Sequence, residues 1–207
     1  MNAGSVEQCL DLAIRHVNAG QPERAKVLCE HALATYPPHA GVLQLLAVLW
    51  LREGQTARAT PHIAASLALR PDHGPSLIVA GDVARTAGDL PAALAHHRRA
   101  QALLPDRADA WFALALTLQD QRDLSGAAAA LERVLELAPG RAEVEVNLGI
   151  VLQEAGRIDD AMLAYGRAFR LREDSFGRIA HALAAASTGR LWLDLDALRD
   201  RLRRAPA

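Results

Sequence analysis

The sequence predicts an all-α fold, a solenoid of antiparallel helix pairs closed by a C-terminal helical cap. The first observation is a proline that recurs at one constant interval, at Pro37, Pro71, Pro105 and Pro139. The second is a glycine series with the same step, at Gly20, Gly54, Gly88 and Gly156, with Arg122 in the slot where a further glycine would fall. A fixed period of this length indicates one repeated structural unit whose copies stack on one another.

Small residues recur in phase with these marks. When proline is placed at position thirty-two, the frame gives five units, 6–39, 40–73, 74–107, 108–141 and 142–175. Position twenty is alanine in all five, at Ala25, Ala59, Ala93, Ala127 and Ala161, and position eight is Ala13, Ala47, Gly81, Ala115 and Gly149. Two antiparallel helices approach most closely where small residues lie at their crossing. Each unit is therefore predicted to contain a helix A and a helix B that cross at positions eight and twenty.

The recurring glycines and prolines predict where these helices begin and end. Glycine at position fifteen permits the positive φ of a tight turn between helices A and B, and proline at position thirty-two ends helix B. The starts of the B helices carry Pro22, Asp89, Asp123, Asp159 and Asp160. Proline is tolerated in a first helical turn, and the helix dipole favours carboxylates there.

Residues 176–207 are predicted to form a helix, a turn at 188–190 and a second helix. The second helix presents Leu191, Leu195, Leu198 and Leu202 along one stripe. A solenoid needs a terminal element with a polar outer face, so we interpret this segment as a cap. The alternative is a regulatory helix that folds back into the protein's own groove.

On the basis of these repeated residues, the chain resembles a tetratricopeptide repeat (TPR) protein over 6–175. The fourth unit matches the repeat pattern at Trp111, Leu114, Ala115, Leu118, Ala127, Leu131 and Pro139, and the fifth at Leu148, Gly149, Gly156, Ala161, Tyr165 and Ala168. Departures from the pattern occur at Cys9, His16, Cys29, His97, Glu145 and Glu173. The resemblance implies a right-handed superhelix whose A helices line a concave groove.

The resemblance places the exposed groove at positions two, five, nine, twelve and thirteen of the units, and from these positions we select the candidate binding residues. They are Leu10, Ile14, Gln44, Val48, Arg52, Ile78, Asp82, Arg85, Phe112, Leu116, Gln119, Asp120, Val146, Ile150 and Gln153. Positions five and nine are apolar in eight of ten cases, and no three consecutive units supply the cations and asparagines of the TPR subclass that clamps C-terminal carboxylates. Two interpretations of the apolar ninth position stay open, a binding surface and ordinary packing between repeats.

Composition argues against several classes of function. The 207 residues are 51% hydrophobic and 23% charged with a net charge of −1, whereas a nucleic-acid-binding protein usually carries a basic excess. The longest apolar run, 42–51, is too short to cross a bilayer, so no membrane insertion is expected. The first residues show no signal-peptide pattern and the chain has two cysteines, so we expect a reducing, cytoplasmic location.

No motif indicates catalysis, a metal or a cofactor. The glycines follow the repeat period, and neither a P-loop nor a dinucleotide fingerprint occurs. His96 and His97 are adjacent on a predicted helix, so their side chains diverge. Cys9 and Cys29 face each other in the first unit, either as small core residues or as a pair that oxidation could join. We therefore expect a non-enzymatic chain.

The sequence favours a protein-interaction module, an adaptor or scaffold that binds an apolar peptide or helix in its groove. An assembly chaperone or maturation factor for a client enzyme complex or secretion subunit is the alternative, and a regulatory subunit of a separate catalytic chain is a more distant one. The expected partner is a protein or peptide with an apolar segment, and a second copy of the chain is a further candidate.

Overall fold

The computed structural model describes residues 5–185 and 195–205, and within them every regular element is helical. The A helices are α1 (Val6–Asn18), α3 (Ala40–Arg52), α5 (Gly74–Thr86), α7 (Ala108–Asp120) and α9 (Ala142–Glu154). The B helices are α2 (Pro22–Thr35), α4 (Thr56–Leu69), α6 (Leu90–Leu103), α8 (Leu124–Leu137) and α10 (Ile158–Leu171). A single 3-10 turn (Glu173–Ser175) leads to α11 (Phe176–Ala185), and α12 (Leu195–Arg204) follows.

The chain divides into two compact units, with the boundary after Leu103. From here on, 'unit' means one of these two parts, and the five units of the sequence frame are called repeats. The first unit holds α1 to α6 and the second α7 to α12. In both, each A helix packs against the B helix that follows it, and every A helix begins at the first position of its repeat. The predicted all-α fold of antiparallel helix pairs is confirmed.

In the first unit, α3 and α5 also pack against the B helices that precede them, α2 and α4. Val42, Leu46 and Leu49 of α3 join Cys29 and Ala32 of α2 in one buried cluster. Helices α3 and α5 are therefore each covered by their own B helix and by the preceding one.

The predicted crossing of helices A and B depends on complementary side chains at positions eight and twenty-four. A methyl group added to Gly149 would lie 2.4 Å from Cε1 of Tyr165, and one added to Gly81 would lie 2.2 Å from Nε2 of His97. In the three repeats that have alanine at position eight, position twenty-four is Cys29, Ile63 or Leu131. Glycine at position eight thus accompanies a ring at position twenty-four, because the ring fills the space of the missing methyl group.

The turns between helices A and B share one backbone conformation. Gly20, Gly54, Gly88 and Gly156 have φ between 71° and 84°, and Arg122 has φ of 65°. The frame had placed Arg122 in a glycine slot, and the structure shows that the backbone keeps the left-handed conformation there with an arginine in place.

The C-terminal helices pack on the last helix pair. Leu198 and Leu202 of α12 are fully buried against α10, and the Arg199 guanidinium lies 4.3 Å from the centre of the Phe176 ring. Arg170 of α10 donates to the carbonyl oxygen of Ala205 at 2.6 Å. Helix α12 thus lies on a B helix, which favours the capping role over occupation of the groove.

The leucines of the predicted stripe differ in burial. Leu195 is 50% exposed because it lies at the start of α12, away from the buried Leu198 and Leu202. The predicted turn at 188–190 and Leu191 lie outside the described residues.

Replacing Gly149 by alanine tests the contact between positions eight and twenty-four. The added methyl group would overlap the Tyr165 ring, so we expect Gly149→Ala to lower the free energy of unfolding by about 1–3 kcal/mol. The double variant Gly149→Ala/Tyr165→Leu reproduces the Ala115 and Leu131 pair of the fourth repeat and should recover part of the loss. Urea denaturation measures both; a single variant as stable as wild type would contradict this packing.

Replacing Arg122 by glycine tests the strain in the fourth turn. A left-handed conformation costs a residue with a Cβ about 1 kcal/mol, so Arg122→Gly should raise the free energy of unfolding by about that amount. The exposed ion pair between Arg122 and Glu154 contributes little. Arg122→Ala is the control, since it removes the ion pair and keeps the strain. Equal unfolding midpoints for the glycine and alanine variants would show that the turn is unstrained.

Truncating a buried leucine of α12 tests its docking on α10. Leu202→Ala should lower the free energy of unfolding of the full chain by about 2–5 kcal/mol, the usual loss for a buried leucine. Leu195→Ala, on the same helix but half exposed, should change it by less than about 0.5 kcal/mol. Indistinguishable unfolding curves for these two variants would mean that α12 is not held in the observed position.

Candidate functional site

We define the A-helix face as the side chains at positions five, nine, twelve and thirteen of the A helices. Positions five and nine are four residues apart, so they lie on the same side of one helix. In the first unit the predicted groove residues on this face are Leu10, Ile14, Gln44, Val48, Arg52, Ile78, Asp82 and Arg85. Ile14 and Arg52 are exposed and the other six are half-buried. Aliphatic side chains therefore remain accessible on α1, α3 and α5.

In the second unit the A-helix face is apolar on one part and charged on another. Phe112, Leu116 and Ile150 are half-buried, and the Arg141 guanidinium lies 5.8 Å from the centre of the Phe112 ring. At the ends of α7 and α9, the Glu154 carboxylate accepts hydrogen bonds from Gln119 at 3.4 Å and Arg122 at 3.0 Å. Asp120 is exposed beside them. The partly exposed ring of Phe112 thus lies close to a cation, and polar groups lie beyond it.

Two residues that were expected to be exposed are buried. Val146 is fully buried and Gln153 is 2% exposed. Gln153 donates to the carbonyl oxygen of Ala182 on α11 at 3.3 Å, and its side-chain oxygen accepts a 2.8 Å hydrogen bond from the Tyr165 hydroxyl. The expectation was wrong because α11 packs on α9 and covers this part of its surface.

The third repeat departs from the pattern in a group of polar residues. His97 is fully buried beside Gly81, and its Nε2 donates to the carbonyl oxygen of Ile78 at 3.1 Å. The same nitrogen lies 3.6 Å from Oδ1 of Asp82. Burial lowers the pKa of His97 to about 4, so the ring is neutral at pH 7, and burial raises the pKa of Asp82 to about 6. A charged, poorly solvated carboxylate is therefore backed by a neutral ring.

Helix α11 contributes side chains that the repeat frame did not assign to a site. A cavity of about 260 Å³ is lined by Ile150, Glu154, Arg178, His181 and Ala182, among others. Helix α11 begins one full repeat after the start of α9, in the register of a sixth A helix. This register is the signal from which the sequence could have predicted a sixth A helix. Residues 176–207, however, lack proline, glycine and alanine at the repeat positions that defined the other five.

The two cysteines have the properties of packing residues. Cys9 and Cys29 are free thiols, and burial raises the pKa of Cys29 to about 12, so it is protonated at pH 7. Within residues 5–185 and 195–205, no group of three or more His, Cys, Asp or Glu side chains converges as a metal site would require. No helix in the same part of the chain is both long and apolar enough to cross a membrane.

Solved structures with the same fold are numerous. A thermophilic TPR protein from Thermus thermophilus is 23% identical, with a TM-score of 0.72 over 86% of this chain and 99% of that chain. PilW, a type IV pilus biogenesis factor, is 19% identical, with a TM-score of 0.77 over 87% of each chain. YrrB, a TPR protein with an unusual peptide-binding site, is 19% identical, with a TM-score of 0.63 over 80% of this chain and 86% of that chain.

Comparison at the level of sequence gives the family. No curated protein matches the sequence significantly. Two tetratricopeptide repeat models match, one at 78–142 and the other at 118–186. Since both models describe the same repeat and together span 78–186, the chain belongs to the tetratricopeptide repeat family.

Proposed function

We propose that this chain is a protein-interaction module that binds an apolar peptide or helix along its A-helix face. The observation that carries the proposal is a set of accessible apolar side chains at positions five and nine. They are Leu10, Ile14, Val48, Ile78, Phe112, Leu116 and Ile150. Partly exposed apolar side chains that recur at the same repeat positions are more typical of a binding surface than of a surface left to water.

The interior packing supports this interpretation. Each A helix already has buried contacts through other positions, such as Leu46 and Leu49 in the first unit and Leu114 and Leu118 in the second. The helix pairs are therefore held together mainly by other residues, and part of the surface of the A-helix face is available for a ligand. Peptide binding is also named for YrrB, which shares the fold.

Phe112 is the side chain on which we expect a ligand of the second unit to depend most. It is the one aromatic residue of the A-helix face, and aromatic side chains supply a large part of the energy at interfaces. The Arg141 guanidinium near its ring leaves part of the ring accessible. An apolar side chain of the partner can pack on this ring, and the polar residues around Glu154 then limit how the partner is placed.

A selection from a displayed library of short random peptides provides ligands for the test. Peptides rich in Leu, Ile and Phe should be enriched on the wild-type protein, and their affinity is then measured by fluorescence anisotropy. For peptides that bind the second unit, Phe112→Ala should weaken binding by about ten- to a hundredfold, because it removes the burial of one large apolar side chain. Raising the salt concentration should change the affinity little, since apolar contact is not screened.

The matched controls are Leu69→Ala and Leu103→Ala. Both leucines are exposed apolar residues at the ends of B helices, 48% and 43% exposed, so they have a similar chemistry but lie off the A-helix face. Neither control should alter the affinity by more than about twofold. Unchanged affinity of Phe112→Ala in a folded protein, together with a loss in either leucine variant, would move the binding surface to the B helices.

A further inference from the structure

The third repeat carries a coordinated change at the A-helix face that the proposed function does not explain by itself. Position nine is apolar in the other four repeats, as Ile14, Val48, Leu116 and Ile150, and is Asp82 in the third. In the same repeat position twenty-four is His97 and position eight is Gly81. These three residues are in contact or nearly so, which makes them one structural feature.

The histidine in this feature does not neutralise the carboxylate. The hydrogen bond to the Ile78 carbonyl oxygen places a proton on Nε2 of His97, and the 3.6 Å separation from Oδ1 of Asp82 is too long for a second hydrogen bond. Because the ring is buried and its pKa is lowered to about 4, it carries no positive charge at pH 7. The ring therefore fills the space beneath Asp82 without balancing the charge of the carboxylate.

The Asp82 carboxylate lacks the partners that such a group usually has. Its side chain is 33% exposed, and it accepts no hydrogen bond from any residue that the structure describes. Burial is the largest influence on its pKa and raises it to about 6, whereas Arg85, one turn further along α5, lowers it by a smaller amount. A carboxylate that is partly removed from water and has no hydrogen-bond donor is stabilised when a ligand supplies a donor.

The surroundings of Asp82 restrict the kind of donor that fits. Ile78 lies one turn earlier on α5, and Val48 occupies position nine of the adjacent α3; both are half-buried aliphatic residues. A ligand that reaches Asp82 must also cover these side chains. Its polar group is therefore a cation on a long aliphatic chain, since such a chain packs on apolar surface while its charged end reaches a carboxylate.

We infer that Asp82 accepts the ammonium or guanidinium group of a lysine or arginine in the bound segment, with the apolar neighbours of that residue packing on Ile78 and Val48. This inference rests on the proposed function and adds to it the class of partner: an apolar segment that carries one basic residue at a fixed place. Asp82 would then select among apolar ligands that the other repeats bind equally well.

Parallel peptide selections test the inference. The same displayed library is selected on the wild-type protein, on Asp82→Asn, which keeps the shape of the side chain, and on Asp82→Leu, which gives the third repeat the apolar ninth position of the others. Glu30→Leu is the control, because Glu30 is exposed on the B helix α2 and its removal changes the net charge by the same amount. Circular dichroism and urea denaturation confirm that each variant is folded.

We expect Lys or Arg to be enriched at one place among the peptides selected on wild type and on Glu30→Leu. This enrichment should disappear on both Asp82 variants while the enrichment of apolar residues persists. One enriched peptide is then synthesised with its lysine or arginine replaced by norleucine. The replacement should weaken binding to wild type by about ten- to a hundredfold and leave binding to Asp82→Asn unchanged within about threefold.

Two results would overturn the inference in different ways. If apolar peptides are enriched without a basic residue, or if a basic residue is enriched equally on the Asp82 variants, Asp82 does not select a cation and the proposed function stands. If no peptide is enriched on any of the four proteins, the proposed binding to the A-helix face fails, and the inference fails with it.

Discussion

The close approach of helices A and B at positions eight and twenty is the constraint on which the rest of the structure depends. Ala25, Ala59, Ala93 and Ala127 are fully buried at this crossing, and Ala161 is 1% exposed. With the axes this close, any larger side chain at position twenty-four needs space from its partner helix. Glycine at position eight provides that space for Tyr165 and His97. The packing inside each pair therefore determines which repeats can hold a ring and which cannot.

The same packing leaves part of the surface of α1, α3 and α5 accessible. In the first unit, α3 is covered by its own B helix and by α2 before it, so Val48 and Gln44 are only half-buried. The surface that we propose for ligand binding thus consists of side chains that the packing of the helix pairs leaves partly exposed. In the third repeat, position nine is Asp82 instead of an apolar residue, and it lies beside His97, whose ring occupies the space above Gly81; we propose that this difference gives the surface its selectivity.

Much of the fold could be predicted from the sequence, because the proline, glycine and alanine marks act locally. The period places Arg122 in a glycine slot, and the structure adds that its backbone keeps the left-handed conformation of the glycines. The burial of Val146 and Gln153 could not be predicted, because it depends on α11. That helix begins in the register of a sixth A helix, but a sixth repeat would carry Arg190 at position fifteen and Leu195 at position twenty instead of glycine and alanine. The weak solvation of Asp82 likewise required the three-dimensional arrangement, since His97 lies on a different helix, α6.

The central claim is that ligands bind along the A helices, and mapping a selected peptide on the isotopically labelled protein by NMR tests it most directly. Titration should shift the backbone and methyl signals of residues on the A-helix face, with the largest changes around Val48 and Ile78 for a ligand of the first unit and around Phe112 and Leu116 for a ligand of the second unit. Signals from exposed positions on the B helices, such as Val27, Leu69 and Leu103, should stay in place. Shifts confined to the B helices or to α12, with the A-helix face unaffected, would contradict the account.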